Sequence, residues 1–306
     1  MIDVLTGFSV VAAAILAGYV IGRIDLLGPN ARYVLSRLSF FVLNPFLLFS
    51  VLADADLEVL FSSLLPVSAL AAAVIFAAYA LIARLAWRRS WGAATVGALG
   101  AGYVNGNNIG IPIAIYVLGN AALAAPILLM QLLVFTPVAL AVLEASTSSE
   151  VRPWRILRRT LRNPMIVGAA LGVLVALFDV DLPPIVMEPI SLLAGGAVPV
   201  LLISFGLSLY GQRVLTERGT RRDVITATAM KLVIMPLVAW AIGRFAFGLE
   251  DEPLLAVVVL AALPAAQNVF NYAQRYDTGE IVARDTVFLT TLGCLPVLFA
   301  SAFLLG

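Results

Sequence analysis

Apolar stretches long enough to cross a lipid bilayer recur along this chain, and they constrain its fold more than any other feature. A membrane-spanning helix needs about 20 consecutive, mainly apolar residues. The 306-residue sequence contains ten such stretches, at residues 4–22, 33–52, 60–83, 92–118, 122–143, 164–180, 187–210, 224–247, 253–276 and 281–305. The sequence therefore predicts an all-α polytopic membrane protein with ten transmembrane helices.

The composition excludes several other classes of protein. Hydrophobic residues make up 62% of the chain and charged residues 12%, whereas soluble domains are about 45–50% apolar. A soluble enzyme, a disordered chain and a nucleic-acid binder are therefore excluded. The sequence has no histidine, and Cys294 is its single cysteine, so histidine triads, histidine metal sites and internal disulfides are excluded too. We expect no enzymatic activity, no metal and no cofactor.

The charged residues between the spans predict the orientation of the chain. Arginines cluster after the odd-numbered spans, as Arg84, Arg88 and Arg89 do after the third, whereas the other connections carry acids such as Asp54 and Asp179. Loops rich in Lys and Arg stay on the cytoplasmic side. The pattern predicts a multi-pass protein of the cell (inner) membrane, with both termini outside.

The central connection, residues 144–163, is the longest. Trp154, Leu157 and Leu161 recur there at helical spacing with arginines between them. This pattern favours a short helix on the inner membrane surface, which serves as a linker. A docking site for another protein is the alternative interpretation.

The residues on either side of this linker, 1–143 and 164–306, form an internal repeat. When the second half is aligned on the first, polar, proline and glycine positions coincide in consistent order. The pairs include Asp25 and Asp179, Pro45 and Pro199, Arg84 and Arg244, and Asn108 and Asn268. Each half has five spans, an odd number, so the second half must be inverted in the membrane. Inverted repeats are typical of secondary transporters that work by alternating access.

The fourth and ninth spans each contain a polar cluster beside helix-breaking residues. A broken helix is tolerated at membrane depth where it lines a cavity or is buried in protein. Two crossed breaks would direct two half-helix N-termini, with their partial positive charges, at one anionic group. The predicted substrate-binding residues of these clusters are Asn105, Asn107, Asn108, Gly110, Gln267, Asn268, Asn271 and Tyr272.

Polar residues in other spans complete the candidate set. Lys231 of the eighth span either extends to the cytoplasmic face or acts as counter-ion to a substrate carboxylate. Gln131 and its repeat partner Thr290 either line the cavity or hydrogen-bond between helices. Asp285, about one turn into the tenth span, either binds a proton or has a capping or surface role beside Arg284. The glycine pairs Gly18 and Gly22, and Gly168 and Gly172, predict close helix packing within a scaffold or a homodimer.

The segments Asn107-Asn-Ile-Gly-Ile-Pro112 and Pro264-Ala-Ala-Gln-Asn268, with a Pro-x-Leu-Leu motif in the second and seventh spans, resemble the auxin efflux carrier family. The resemblance covers essentially the whole chain, and the family's fold is similar to that of bile-acid/sodium symporters. It implies a scaffold domain from helices 1, 2, 6 and 7. It also implies a transport domain from helices 3–5 and 8–10 that moves as an elevator.

The repeat, the broken spans and the resemblance together predict a secondary transporter or facilitator of small organic anions. The expected substrates are carboxylates, either auxin-like or malonate- and malate-like. The expected partners are this substrate, the lipid bilayer and a second copy held through the scaffold helices, with no nucleic acid. A sodium-coupled bile-acid-type symporter is one alternative. A channel or receptor built on the carrier fold is the other.

Overall fold

The computed structural model describes residues 2–54, 62–147, 161–211 and 214–305, together with Trp154 and Arg158. Over these residues the regular structure is helical, apart from one isolated antiparallel bridge between Val104 and Ala265. The helices in chain order are α1 (Ile2–Arg23), α2 (Ala31–Ala53), α3 (Leu64–Ala86), α4 (Trp91–Gly102), α5 (Ile111–Tyr116), α6 (Ala121–Ser146), α7 (Pro164–Leu177), α8 (Pro184–Leu209), α9 (Arg218–Ala246), α10 (Asp251–Ala262), α11 (Gln267–Arg275) and α12 (Glu280–Leu305).

Six of these helices are long and apolar enough to cross a membrane. They are α2, α3, α6, α8, α9 and α12, with 23 to 29 residues each, and they coincide with six of the ten predicted spans. Shorter apolar helices occupy two more predicted spans, at Ser9–Arg23 and Pro164–Leu177. The fourth and ninth predicted spans are interrupted, and each is divided into two short helices. The surface helix predicted for the central linker falls largely outside the described residues.

Unit 1 is one of two compact units in the chain, and it comprises Met1–Ser62, Asn107–Leu129 and Arg158–Gln212. Helix α1 packs against α8, and α7 packs against α2. Glycines permit both contacts: a Cβ at Gly18 would overlap the backbone of Ile203, and a Cβ at Gly172 would overlap that of Phe49. The close packing predicted from the glycine pairs is therefore confirmed within this unit.

Unit 2 comprises Ser63–Gly106, Met130–Leu157 and Arg213–Gly306. Helix α3 packs on α4, and α10 packs on both α9 and α12. The loop after α3 is fixed to α9 by Arg89, whose Nε and Nη2 donate to the carboxylate of Asp223 at 3.0 and 2.7 Å. These hydrogen bonds to the Asp223 carboxylate raise the pKa of Arg89 above its ordinary value.

Asp285 lies at the start of α12, and the prediction that it lies at the surface is wrong. It pairs with Arg284 as expected, with the Nε donating at 2.9 Å, but its side chain is fully buried. The other carboxylate oxygen accepts the amide of Leu215 at 2.8 Å. Leu215 has a left-handed φ of 57°, so Asp285 stabilises a turn of the loop before α9.

Matched positions in the two halves of the chain have the same unusual backbone geometry. The repeat partners Asp25 and Asp179 both follow a helix with a left-handed φ, at 53° and 50°. Equivalent hydrogen bonds come next in the chain, from Leu26 to Ile21 and from Val180 to Val175. Gly119 and Gly279, another matched pair, have φ values of 73° and 65°. The two halves therefore turn the chain alike at these sites.

Candidate functional site at two helix breaks

The interruptions after α4 and after α10 meet in unit 2. Pro264 has no amide to donate to the carbonyl of Leu260, so α10 cannot continue past it. Beyond the breaks the chains run antiparallel, as the amide of Asn105 donates to Pro264 at 2.7 Å and the amide of Ala266 donates to Tyr103 at 3.0 Å. Each break therefore provides partners for the backbone groups that the other leaves without a helical bond.

Side chains from α6 and α12 hold the bridge between the breaks. The Nε2 of Gln131 donates to the carbonyl of Val104 at 3.0 Å, and the Oγ1 of Thr290 accepts the amide of Ala265 at 3.0 Å. Both side chains are buried. Of the two interpretations offered by the sequence, the structure therefore favours hydrogen bonding, with Gln131 and Thr290 bound to the non-helical segments at the two breaks.

The predicted amides of unit 2 gather around this bridge. Asn105 lies directly beside it and is buried, with 3% of its surface exposed. Gln267 and Asn268 form the first turn of α11 and are half-buried. The amide of Val269 donates to the carbonyl of Ala266 at 3.1 Å. The amides of Gln267 and Asn268, in contrast, have no acceptor within their own helix, so they are the N–H donors that this end of α11 offers beside the side-chain amides. Asn271, one turn further on, is exposed.

The predicted residues of the other cluster fall in unit 1. Asn107, Asn108 and Gly110 lie in a π-helical turn, Gly106–Gly110, that leads into α5. Asn107 donates through Nδ2 to the Oδ1 of Asn108 at 2.9 Å. Both asparagines are half-buried and Gly110 is buried. The two side chains thus form a local amide pair within that unit.

A group of hydroxyls beside the bridge was missed by the sequence analysis. The hydroxyl of Tyr103 lies 2.8 Å from the Oγ1 of Thr136, which lies 3.5 Å from the hydroxyl of Tyr272. The Tyr272 ring packs against a hydrophobic cluster that includes Tyr103. Only Tyr272 was predicted. The sequence feature that could have identified Tyr103 is its position just before Asn105 in an otherwise apolar span.

Lys231 is fully buried in α9, so the interpretation that it extends to the cytoplasmic face is wrong. Its Nζ donates to the backbone carbonyl of Ala261 at 2.7 Å and lies 3.3 Å from the Sδ of Met235. Ala261 belongs to the last turn of α10. The Nζ of Lys231 therefore lies at the negative end of a broken helix.

Comparison with known families shows to which family this chain belongs. A family model described as membrane transport protein matches residues 5–300. The chain belongs to this family, that of the auxin efflux carriers. The chain spans only 24% to 43% of the length of the plant auxin efflux carriers that it matches, and its apolar helices fit a membrane protein. The family match does not favour the symporter, channel or receptor alternatives.

Relatives of this chain come from plants, bacteria and archaea. Auxin efflux carrier component 7 of Arabidopsis thaliana is 29% identical over 49% of the chain, but the match covers only 24% of that protein's length. A "Putative malonate transporter" of Rhizobium meliloti (strain 1021) is 28% identical, over 72% of the chain and 69% of the relative. An "Uncharacterized transporter" of Methanothermobacter thermautotrophicus is 26% identical, and the match covers 92% of both chains.

Proposed function

We propose that this protein is a secondary transporter of small carboxylates and that the breaks around the Val104–Ala265 bridge form its substrate-binding centre. The observation that carries the proposal is the antiparallel meeting of the two breaks. It places the amide side chain of Asn105 beside a segment that continues at once into Gln267 and Asn268. The names of two relatives refer to auxin and to malonate, which are both carboxylates, and this supports the same substrate class.

The chemistry of the bridge suits an anion without a buried counter-charge. The first-turn amides of α11 carry part of the positive end of a helix dipole. The side-chain amides of Asn105, Gln267 and Asn268 add donors that remain neutral, so the protein does not have to bury a charge at this site. A carboxylate bound there would receive charge-assisted hydrogen bonds. Tyr272 is proposed to line the same site, through its ring and its hydroxyl.

The remaining predicted residues receive different roles in this proposal. Gln131 already donates to the Val104 carbonyl and is assigned to holding the bridge. Asn107, Asn108, Gly110 and Asn271 stay sequence-based members of the predicted binding set, with Asn108 the repeat partner of Asn268.

We further propose that the two halves are inverted repeats and that transport follows an elevator-type alternating-access mechanism. The equal left-handed turns at Asp25 and Asp179 and at Gly119 and Gly279 support a duplicated fold. The helices of unit 1 pack backbone against backbone at glycines, which suits a rigid scaffold. Unit 2 contains the bridge, which suits the domain that carries the substrate. The orientation with both termini outside the cell membrane belongs to the same proposal.

Counterflow in proteoliposomes tests this function. Vesicles preloaded with unlabelled malonate, or in parallel with an arylacetate, should take up the matching labelled acid faster than empty vesicles do. Uptake should saturate with external concentration. Uptake that neither saturates nor responds to preloading would indicate a channel, and no uptake of either acid would contradict a carboxylate carrier.

The charge of the substrate gives a second arm of the same test. A carboxylate accepts charge-assisted hydrogen bonds, and each contributes about 1.5–3 kcal/mol. The amide analogue of a transported acid should therefore compete at least about tenfold more weakly. Equal competition by acid and amide would contradict the proposed site chemistry.

A further inference from the structure

Lys231 has no role in the binding centre proposed above, although it is the only lysine in the chain. It lies in a π-helical turn of α9, Met230–Ile234, and is fully buried. The ion pairs between described residues are Arg89 with Asp223, Arg244 with Glu250 and Arg284 with Asp285. None of these involves Lys231. A buried amine in a membrane segment needs compensation from some other polar group.

That compensation comes from the end of α10. In a continuous helix the carbonyl of Ala261 would accept the amide of Ala265, one turn further on. The amide of Ala265 instead donates to the Oγ1 of Thr290 at 3.0 Å. The carbonyl of Ala261 accepts the Nζ of Lys231 at 2.7 Å. The Nζ of Lys231 therefore replaces a hydrogen bond that the helix break removes, and it lies where the helix dipole is negative.

The matching positions in the first half of the chain are both alanines. In the alignment that pairs Asn108 with Asn268, Lys231 corresponds to Ala71 and Ala261 corresponds to Ala101, and both of these alanines are fully buried. The helix around Ala71 is regular from Leu64 to Leu81, without a π-helical turn there. Lys231 and its π-helical turn are thus present beside the break after α10. The matching position beside the break after α4 has neither. An extra residue in a helix turn redirects side chains and often marks a functional position.

We infer that Lys231 is a positioning residue: its amine fixes the end of α10 at the break and so sets the geometry of the bridge that α11 follows. The inference rests on the proposed function, because a transporter needs this break in a defined geometry. In this inference the partner of the Lys231 side chain is a backbone carbonyl of the protein and not the substrate carboxylate.

Lys231→Met tests the inference, because methionine keeps much of the length of the side chain and removes the donor. Met230→Leu is the matched control, since Met230 is a buried apolar residue of the same π-helical turn. The first measurement is hydrogen–deuterium exchange without substrate. The backbone amides of residues 263 and 265–268 should exchange at least about tenfold faster in Lys231→Met and as in the parent in Met230→Leu. Parent-like exchange in Lys231→Met would overturn the inference.

The second measurement separates positioning from substrate binding. Lys231→Met should lower the rate of malonate counterflow by about tenfold or more. The ratio of affinities for malonate and its amide analogue should stay within about threefold of the parent value, because the donors that recognise the charge are elsewhere. Loss of that discrimination would identify Lys231 as the substrate's counter-ion and overturn the inference.

A third measurement needs no variant and no transport. Lys231 carries the only side-chain amine, so an amine-reactive reagent followed by mass spectrometry of its peptide reports on this residue alone. In the folded protein it should remain unmodified whether or not malonate is present. Modification that malonate prevents would show that the amine faces the substrate and would overturn the inference. If the parent binds no carboxylate, the proposed function fails, whereas the exchange and labelling experiments still decide the role of Lys231.

Discussion

The backbone amide of Asn105 donates a 2.7 Å hydrogen bond to the carbonyl of Pro264 and joins two helix breaks that are far apart in the chain. A break at membrane depth leaves donors and acceptors that no water or lipid tail satisfies. Here backbone groups of each break hydrogen-bond to those of the other. The side chains of Gln131, Thr290 and Lys231 bind further backbone groups at the two breaks. The stability of either break therefore depends on the other and on three flanking side chains.

Thr290→Val should destabilise the protein, because valine has nearly the shape of threonine but cannot accept the amide of Ala265. A buried donor left without a partner costs about 1–3 kcal/mol. Thermal unfolding of the purified variant in detergent should show a lower midpoint than the parent. Thr290→Ser keeps the hydroxyl and should lie closer to the parent. Equal midpoints for the valine and serine variants would contradict the role given to this hydroxyl.

Gln131→Met should behave in a similar way, since it removes the donor to the Val104 carbonyl and keeps most of the side-chain volume. Gln131 and Thr290 hold neighbouring parts of one bridge, so their substitutions should not be independent. The double variant should differ from the sum of the two single effects by about 0.5–3 kcal/mol. Strict additivity in unfolding experiments would show that the two residues do not act on a shared structure.

The helical class, the positions of six long spans and the location of both breaks could be predicted from the sequence, because they depend on hydropathy and on proline and glycine. Contacts that need knowledge of tertiary neighbours could not. Lys231 was expected at a surface or in a cavity, but its partner is a backbone carbonyl thirty residues away. Asp285 was placed at the surface for the same reason, since the loop amide that it accepts is remote in sequence. The hydroxyl contact of Tyr103 with Thr136 likewise follows from packing alone.

Gly18→Ala should destabilise unit 1, because the added methyl group would overlap the backbone of Ile203. Alanine favours a helix over glycine by up to about 1 kcal/mol, whereas overpacking costs about 1–3 kcal/mol. The net effect should be a lower unfolding temperature. Gly195→Ala is the control, since nothing lies within 4 Å of a Cβ at that position of α8. If both variants unfold at the parent temperature, the contact between α1 and α8 is not close-packed.

Cysteine labelling in intact cells should test the proposed orientation. Cys294 is buried and can be replaced by serine to give a background without cysteine. In that background a membrane-impermeant maleimide should label Asp251→Cys from outside, and it should leave Arg218→Cys unlabelled until the membrane is opened. Both residues are exposed in the structure, so a difference in their labelling reports the side of the membrane and not burial within the protein. The reverse pattern would show that the chain is inserted the other way round.

Asn268→Ala tests most directly whether the start of α11 binds the substrate carboxylate. Gln274→Ala is the matched control, because Gln274 is an exposed amide on the same helix. Both variants should be monodisperse after purification, since the apolar spans and loop charges set insertion independently of these side chains.

Malonate affinity and counterflow are then measured for the parent and both variants under the same conditions. We expect Asn268→Ala to lose a hydrogen bond to a charged acceptor and to bind malonate about tenfold or more weakly, while Gln274→Ala stays at the parent value. Parent-like binding and transport by Asn268→Ala would contradict the assignment of the binding centre to this break.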